Sequence, residues 1–365
     1  MKLLFEEAKL GKIVLKNRFV RSATWENMTT EDGHLTKELI NIYENLAKSE
    51  MGLIITGYAN VMKEEQPNHG MMGIYDDSFI NEYKKLTELV HKFDSKIIMQ
   101  VAYGGTKTTY NVGKRLIYAP SEIAEQSTNV VGKAMTKEDI DLVINAFVDA
   151  AKRIQESGFD GIEIHAAHTY LINQFLSSYY NKRTDEYGGS LENRMRFLVE
   201  IYNKTREKVG NDFTIVVKLT SSEFFEGGMT FDETRLICRE LESIGVDAID
   251  ITGNIHGKAK SMIGEAFDGY ELQKEGYFVE YAKVISDEVS IPTISVGGFK
   301  DISKIENILN ESNIEFFALS RPLLAEPNLI KRWKSGDKKS AICISCSKCR
   351  TDQGNYCVVF NKKNN

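Results

Sequence analysis

The sequence predicts an α/β protein folded as a single (β/α)8 TIM barrel with a short cysteine-rich C-terminal tail. Three observations lead there. Eight short β-rich runs recur along the chain, amphipathic helical stretches separate them, and a length of 365 residues suits one barrel, which uses about 250 residues and more with insertions. Several runs are almost continuously apolar, as parallel strands are when helices cover one side and packed side chains fill the other. Repeated strand–helix alternation leaves two architectures, a closed barrel or a doubly wound sheet. Periodicity alone does not separate them.

In chain order the strand runs are RFVRSA at 18–23, GLIITGYA at 52–59, KIIMQVA at 96–102, GIEIHAA at 161–167, TIVVKLT at 214–220, AIDIT at 248–252, TISVGG at 293–298 and FFALS at 316–320. Helices are expected near 36–50, 78–93, 136–158, 190–209, 230–244, 277–288, 301–310 and 322–334. The third shows the logic. Thr136 can cap the N-terminus with Asp139 completing a variant capping box, Gly158 offers the left-handed stop, and Ile140, Val143, Ile144, Phe147, Ala151 and Ile154 share one face. The connection from 103 to 135 is long and rich in Gly, Thr, Ser and Asn, which predicts a lid or small hairpin over the barrel mouth. Residues 1–335 are expected to form the barrel and 336–365, where helical periodicity stops, a separate tail.

Composition narrows the class. Hydrophobic residues make up 42% and charged residues 27%, enough apolar material for a sizeable core. A formal net charge of -6 argues against nucleic acid or an anionic membrane as partner and leaves a small molecule as the expected one. The N-terminus lacks a signal-peptide core and no run is long and apolar enough to span a bilayer, so a cytoplasmic location is expected. Four of the five cysteines crowd between Cys343 and Cys357, unlike a secreted disulfide framework.

In a barrel, chemistry sits at the C-terminal ends of the strands. Those positions are Ala23 and Thr24, Gly57 and Tyr58, Gln100, His165 with His168, Lys218, Thr252 and Gly253, Gly297 with Gly298, and Ser320 with Arg321. Gly297-Gly298 and Ser320-Arg321 offer backbone N–H groups and a guanidinium suited to a phosphate; two glycines alone could equally make a plain turn. His165, His168 and Tyr170 leave the fourth strand within six residues. A lone histidine there would be read as satisfying local backbone. Three such donors together point instead to a histidine pair on one carbonyl oxygen and a tyrosine that delivers a proton. Downstream, Gly188-Gly189 reads as a turn, Ser190 as a cap with Glu192 at the helix's positive end, and Arg183, Asp185 and Arg194 as structural ties.

The segment HAAHTYLINQFLS followed by NKRTDEYGGSLENRMRF resembles the signature of the old yellow enzyme family of flavin-dependent oxidoreductases. The likeness continues at LKNRFVRSAT, at Gln100 in IIMQVAYGG, and at ISVGG and ALSRPLLAEP, so that it covers nearly all of residues 1–335 and favours the barrel. The resemblance implies FMN at the barrel mouth. Ala23, Thr24, Gly57, Gln100 and His165 would line the ring system, Lys218 would face its N1 and C2 carbonyl, and Gly297, Gly298, Ser320 and Arg321 would hold the phosphate. It further implies hydride transfer from NADH or NADPH through the flavin to the activated alkene of an α,β-unsaturated carbonyl compound, with His165 and His168 polarising the carbonyl and Tyr170 protonating the α-carbon. A homo-oligomer is expected. Trp25 stands where one branch of the family has a redox-tuning cysteine, so that modulation is not expected; Trp25, Tyr58 and Tyr103 either line the substrate mouth or pack the rim. His256 is either a further proton donor, as in the dienoyl-CoA reductase branch, or a surface loop residue.

Cys343, Cys346, Cys349 and Cys357 form a C-x2-C-x2-C-x7-C pattern, a spacing that suits zinc or an iron–sulfur cluster. The larger dienoyl-CoA-reductase-type relatives carry a cluster after the barrel with longer spacings and then a second nucleotide-binding domain. With a cluster, electrons are expected from a separate donor protein; without one, the nicotinamide must reduce FMN directly, and with zinc the tail is a clasp. Two alternatives remain open: an amine dehydrogenase or demethylase on the same barrel, and a non-flavin phosphate-binding barrel.

Overall fold

In the computed structural model the described residues are 1–253 and 275–360. Eight strands form the barrel: β1 (Phe19–Arg21), β2 (Leu53–Ile55), β3 (Lys96–Ala102), β4 (Gly161–Ala166), β5 (Thr214–Thr220), β6 (Ala248–Thr252), β7 (Thr293–Val296) and β8 (Phe316–Leu319). Each pairs in parallel with the next, and β8 pairs with β1 to close the ring. Closure settles the choice that strand–helix alternation left open. Val20 shows the register, lying opposite Leu53 on one side and Ala318 on the other.

Side chains alternate between two apolar sets. Val20, Leu53, Ile55, Ile98, Val216, Ala248, Ile294, Phe316 and Ala318 fill the barrel interior. Their neighbours along the strands, including Ile54, Ile97, Ile215, Val217 and Phe317, face the helices. Those helices are α1 (Lys37–Lys48), α2 (Ile80–His91), α3 (Lys137–Glu156), α4 (Leu191–Val209), α5 (Phe231–Ser243), α6 (Val279–Glu288) and α7 (Ile302–Glu311). α3 has the anticipated anatomy: the Thr136 side chain accepts from Asp139 N, the Asp139 carboxylate accepts from Thr136 N, and all six apolar positions named above are buried.

The structure adds one element the sequence reading lacked and corrects two local expectations. A hairpin, Ala8–Leu10 with Ile13–Leu15, precedes the barrel and turns at Gly11, where φ is +58°. A Cβ on Gly11 would lie 2.5 Å from Asp247 Cβ, beside the start of β6, so the hairpin stoppers the N-terminal end of the barrel and adds Leu10 and Leu15 to its interior. The helix expected over 322–334 is two short ones, Arg321–Ala325 and Leu329–Lys334. Pro327 lacks an amide proton and disfavours helical geometry at Glu326, which breaks the run. The long connection after β3 holds no hairpin. Tyr118–Ala119 and Lys133–Ala134 pair in parallel instead. Among the described residues, no helix is long and apolar enough to cross a membrane.

Candidate active site

With the N-terminal end closed, the other end carries the polar residues. The turn after β4 is the most constrained part. His168 and Thr169 both adopt left-handed backbone, at φ +59° and +63°. Two consecutive non-glycine residues in that region store strain that surrounding contacts must hold. The contacts are identifiable: His168 N donates to Thr220 Oγ1 at 3.1 Å, and Thr169 N to Asn173 Oδ1 at 2.8 Å.

This turn brings the predicted trio together. The His165 ring lies 5.1 Å from that of His168 and 4.8 Å from that of Tyr170. Ala167 N donates to His165 Nδ1 at 3.2 Å, so His165 carries its proton on Nε2. That proton points at His168 Nδ1, 3.2 Å away, and His168 Nε2 in turn faces Thr252 Oγ1 at 3.1 Å. Burial, reinforced by the nearby Lys218 charge, pulls His165 down to about 3, so the imidazole is neutral. His165 therefore donates through its N–H group rather than as a cation. A ligand oxygen would have to replace the contact each ring now makes.

Tyr170 is held in the opposite sense. Burial pushes its hydroxyl up to about 12, keeping it protonated. Asn68 Nδ2 donates to the Tyr58 hydroxyl, and the Tyr58 hydroxyl donates to Tyr170, whose own proton is left for a further acceptor. For Tyr58, either mouth lining or rim packing is compatible with the sequence. It packs with Tyr170, Met71 and Ala102, and Trp25 covers this cluster. Tyr103 is buried in the main core instead, its ring 6.4 Å from that of Tyr118.

Deeper in the mouth, the residues proposed for the ring system make pairs that the sequence did not reveal. Lys218 Nζ contacts Asp250 on the neighbouring strand, and Gln100 Nε2 donates to Glu163. Lys218 is raised by Asp250 and Glu163 against the effect of burial, so it stays charged. Burial raises the Glu163 carboxyl, a shift that Lys218 only partly opposes. Glu163 Oε1 and Asp250 Oδ1 are buried without a hydrogen-bond partner. Both acids stand on strands opposite the predicted residues, at registers Glu163 to Gln100 and Asp250 to Lys218. Polar residues inside otherwise apolar strands were the available signal.

The residues expected to hold a phosphate, Gly297, Gly298, Ser320 and Arg321, lie at the ends of β7 and β8, next to Thr24 and Gly57 from the expected ring-system set. Thr24 Oγ1 and Ser320 Oγ are 2.8 Å apart. Gly57 sits where a Cβ would meet Glu26 Oε2 at 2.6 Å and Thr24 O at 2.8 Å, so no larger residue fits. Gly297 and Gly298 have φ of +147° and +72°, conformations that favour glycine. The Arg321 guanidinium touches the Ser347 and Tyr277 hydroxyls, each at 3.2 Å. Among the described residues, no carboxylate pairs with it. Arg183, bonded to Asp185 and to the Pro120 and Met135 carbonyls, and Arg194, bonded to Glu233, are structural ties as expected. His256 and most of the 254–276 loop lie outside the described residues.

The tail returns to the barrel. Asn355 N donates to Glu26 O at 2.7 Å, Asn355 Nδ2 to Trp25 O at 2.6 Å, and Asn27 Nδ2 to Thr351 O at 3.1 Å. Its four cysteines are free thiols. Burial, then the three other thiols, raise Cys349, which shows that they gather in one region. Among the described residues, however, no three histidine, cysteine or acidic side chains come close enough to hold a metal ion.

Residues 3–340 match the NADH:flavin oxidoreductase / NADH oxidase family. The chain is 35% identical over 347 residues to an NADH oxidase of Thermoanaerobacter brockii, covering 94% of this chain and 52% of that protein. It is 30% identical over 380 residues to a cinnamate reductase of Clostridium sporogenes, covering 98% and 57%. An NADPH dehydrogenase of Geobacillus sp. (strain WCH70) is 34% identical over 326 residues, covering 89% and 92%. Among solved structures, a 2-naphthoyl-CoA reductase superposes with a TM-score of 0.85 at 27% identity, over 93% of this chain and 54% of that one. An old yellow enzyme from Pichia sp. AKU4542 superposes with 0.77 at 28% identity, over 92% and 87%. The chain thus spans about half the length of several proteins it matches and nearly all of others.

Proposed function

Because the chain belongs to the NADH:flavin oxidoreductase / NADH oxidase family, we propose that it is an FMN-dependent ene-reductase that reduces the activated C=C bond of a small α,β-unsaturated carbonyl compound at the expense of NADH or NADPH. The observation that carries this reading is a pair of histidine donors in contact, one of them buried and neutral, beside a buried tyrosine kept protonated. The fit to FMN rests on the mouth itself. Arg321, bonded only to neutral hydroxyls among the described residues, and the opened backbone at Gly297-Gly298 suit a phosphate. Gln100, Lys218, Ala23, Thr24 and Gly57 supply an amide, a cation and closely approaching backbone for a planar heterocycle with carbonyl and N–H edges. FMN, when bound, accepts hydride from the nicotinamide and passes it to the alkene.

The chain's own contribution is electrostatic and protonic. His165 and His168 would donate N–H groups to the substrate carbonyl oxygen, drawing electron density from the β-carbon; a preorganised donor of this kind is worth about a hundredfold or more in rate. Tyr170 would give its proton to the α-carbon and recover it through Tyr58. Burial and the aromatic cover would keep water from this exchange. An amine dehydrogenase on the same barrel has less use for a protonated acid at Tyr170, because C–N oxidation removes a proton and hydride from substrate.

The tail thiols Cys343, Cys346, Cys349 and Cys357 would be the ligands of any iron–sulfur cluster or zinc, on the support of their spacing and mutual proximity. Their present arrangement is not a coordination cage, and no step is assigned to a metal. The test is the visible spectrum of anaerobically purified protein before and after NADH and then cyclohexenone. A flavin band that bleaches and returns is expected, and a colourless protein that takes up no FMN would overturn the reading.

A further inference from the structure

We infer that Arg350, laid over the substrate mouth by the C-terminal tail, is a recognition site for an oxyanion on the substrate, separate from the carbonyl that the histidine pair would polarise. The substrate class is then an enone carrying a carboxylate or phosphate group. This rests on the ene-reductase reading for the reaction, but not for the binding.

The argument starts from Trp25. Its ring covers the Tyr58–Tyr170 cluster, and its indole N–H is fixed by donation to His69 O at 2.9 Å. The Arg350 guanidinium lies over the same indole, 5.7 Å from the ring centroid. One side of the indole therefore borders the tyrosines and a cation sits on it. The positive charge of Arg350 reaches both tyrosine hydroxyls, opposing the upward push of burial on each. The arginine is exposed to solvent, and among the described residues no carboxylate or carbonyl accepts from it. By contrast, Arg21 pairs with Glu26 and Arg115 with Glu65.

Anchoring the tail does not require this arginine. Three hydrogen bonds through Asn355 and Asn27 already tie it to residues 25–27. A guanidinium stacked on an aromatic is preoriented, so its planar fork loses little freedom when it grips an oxyanion. A bidentate, charge-assisted contact to such a guanidinium, even exposed, is worth about tenfold in affinity.

The experiment uses the flavin-loaded, oxidised protein and saturated product analogues, which do not alkylate its thiols. Calorimetric titration compares levulinate and 3-oxobutylphosphonate with the neutral levulinamide, in wild type, Arg350→Gln and Arg350→Lys. We expect wild type to bind one of the anions at least tenfold more tightly than the amide, the stronger of the two identifying the group. Arg350→Gln should lose that preference and Arg350→Lys keep part of it, with the amide reporting whether each variant retains an intact mouth. Equal affinity for anion and amide in wild type, or a preference that survives in Arg350→Gln, would overturn the assignment. Cyclohexenone turnover is measured in parallel. Its absence alongside an intact anion preference would remove the ene-reductase reading and leave the oxyanion site standing.

Discussion

Replacing Tyr170 with Phe isolates one proton. The phenyl ring keeps its packing against Tyr58 and His165, whose ring centroids lie 5.5 and 4.8 Å away, so the variant should fold and hold the flavin. With the hydroxyl pushed up to about 12, only about one molecule in ten thousand is ionised at pH 8. Essentially every wild-type molecule therefore carries the proton to be delivered. Losing a positioned general acid slows its step by about a hundredfold to ten-thousandfold, or about 3–5 kcal/mol. Stopped-flow measurement separates the two half-reactions: reduction by NADH followed by flavin bleaching, and reoxidation by cyclohexenone followed by its return. The loss should fall on reoxidation. Between pH 6 and about 10 neither the tyrosine nor His165, held down to about 3, titrates, so neither should put a break in the wild-type profile of that step. A reoxidation rate within about threefold of wild type in Tyr170→Phe would refute the assignment.

Three further substitutions test the surroundings. Lys218→Met removes the cation from the buried Asp250 and Glu163 pair and should destabilise the fold by about 3–5 kcal/mol, read from urea unfolding midpoints, because a stranded buried charge costs more than the pair gains. Thr136→Ala removes the α3 capping box and should cost about 1 kcal/mol by the same assay without changing the flavin spectrum. Glu223, pushed up to about 7 by burial, keeps its proton when folded at pH values where the unfolded chain has lost it. Its contribution is therefore full below about pH 4.5 and is lost as pH rises through 7, so Glu223→Gln should flatten the decline in melting temperature between pH 5 and 8 by the equivalent of about 3 kcal/mol.

Much of this was legible in the chain because barrel strands and helices are local patterns. Thr136, Asp139 and the apolar face of α3 announce themselves within one segment, and strand ends can be ranked by their donors. Pairings across strands were not legible, since Gln100 meets Glu163 across 63 residues and Lys218 meets Asp250 across 32. An acid inside a strand such as AIDIT shows that something polar is buried, without naming its partner. The N-terminal hairpin was missed because each strand has only three residues. Its sole sharp signal is Gly11, and one glycine rarely defines a turn. The tail looked detached because its ties run through backbone and amide groups of Asn355 and Asn27, which carry no periodicity.

Charge pairing divides the cations at the mouth into two kinds. Arg21 faces Glu26 and Arg115 faces Glu65, two acids that burial pushes up to about 7, while Lys218 sits between Asp250 and Glu163. Such groups hold each other in place at little net charge. Arg321 and Arg350 differ, since among the described residues neither has a carboxylate. One stands beside the backbone opening at Gly297-Gly298, the other over the aromatic wall of Tyr58, Tyr170 and Trp25. A cation left without a counter-ion at a partly exposed site is a place where an incoming anion meets no competitor. The two therefore mark where anions would be received, a phosphate at Arg321 and the substrate's oxyanion at Arg350, the latter beside the protonated tyrosine.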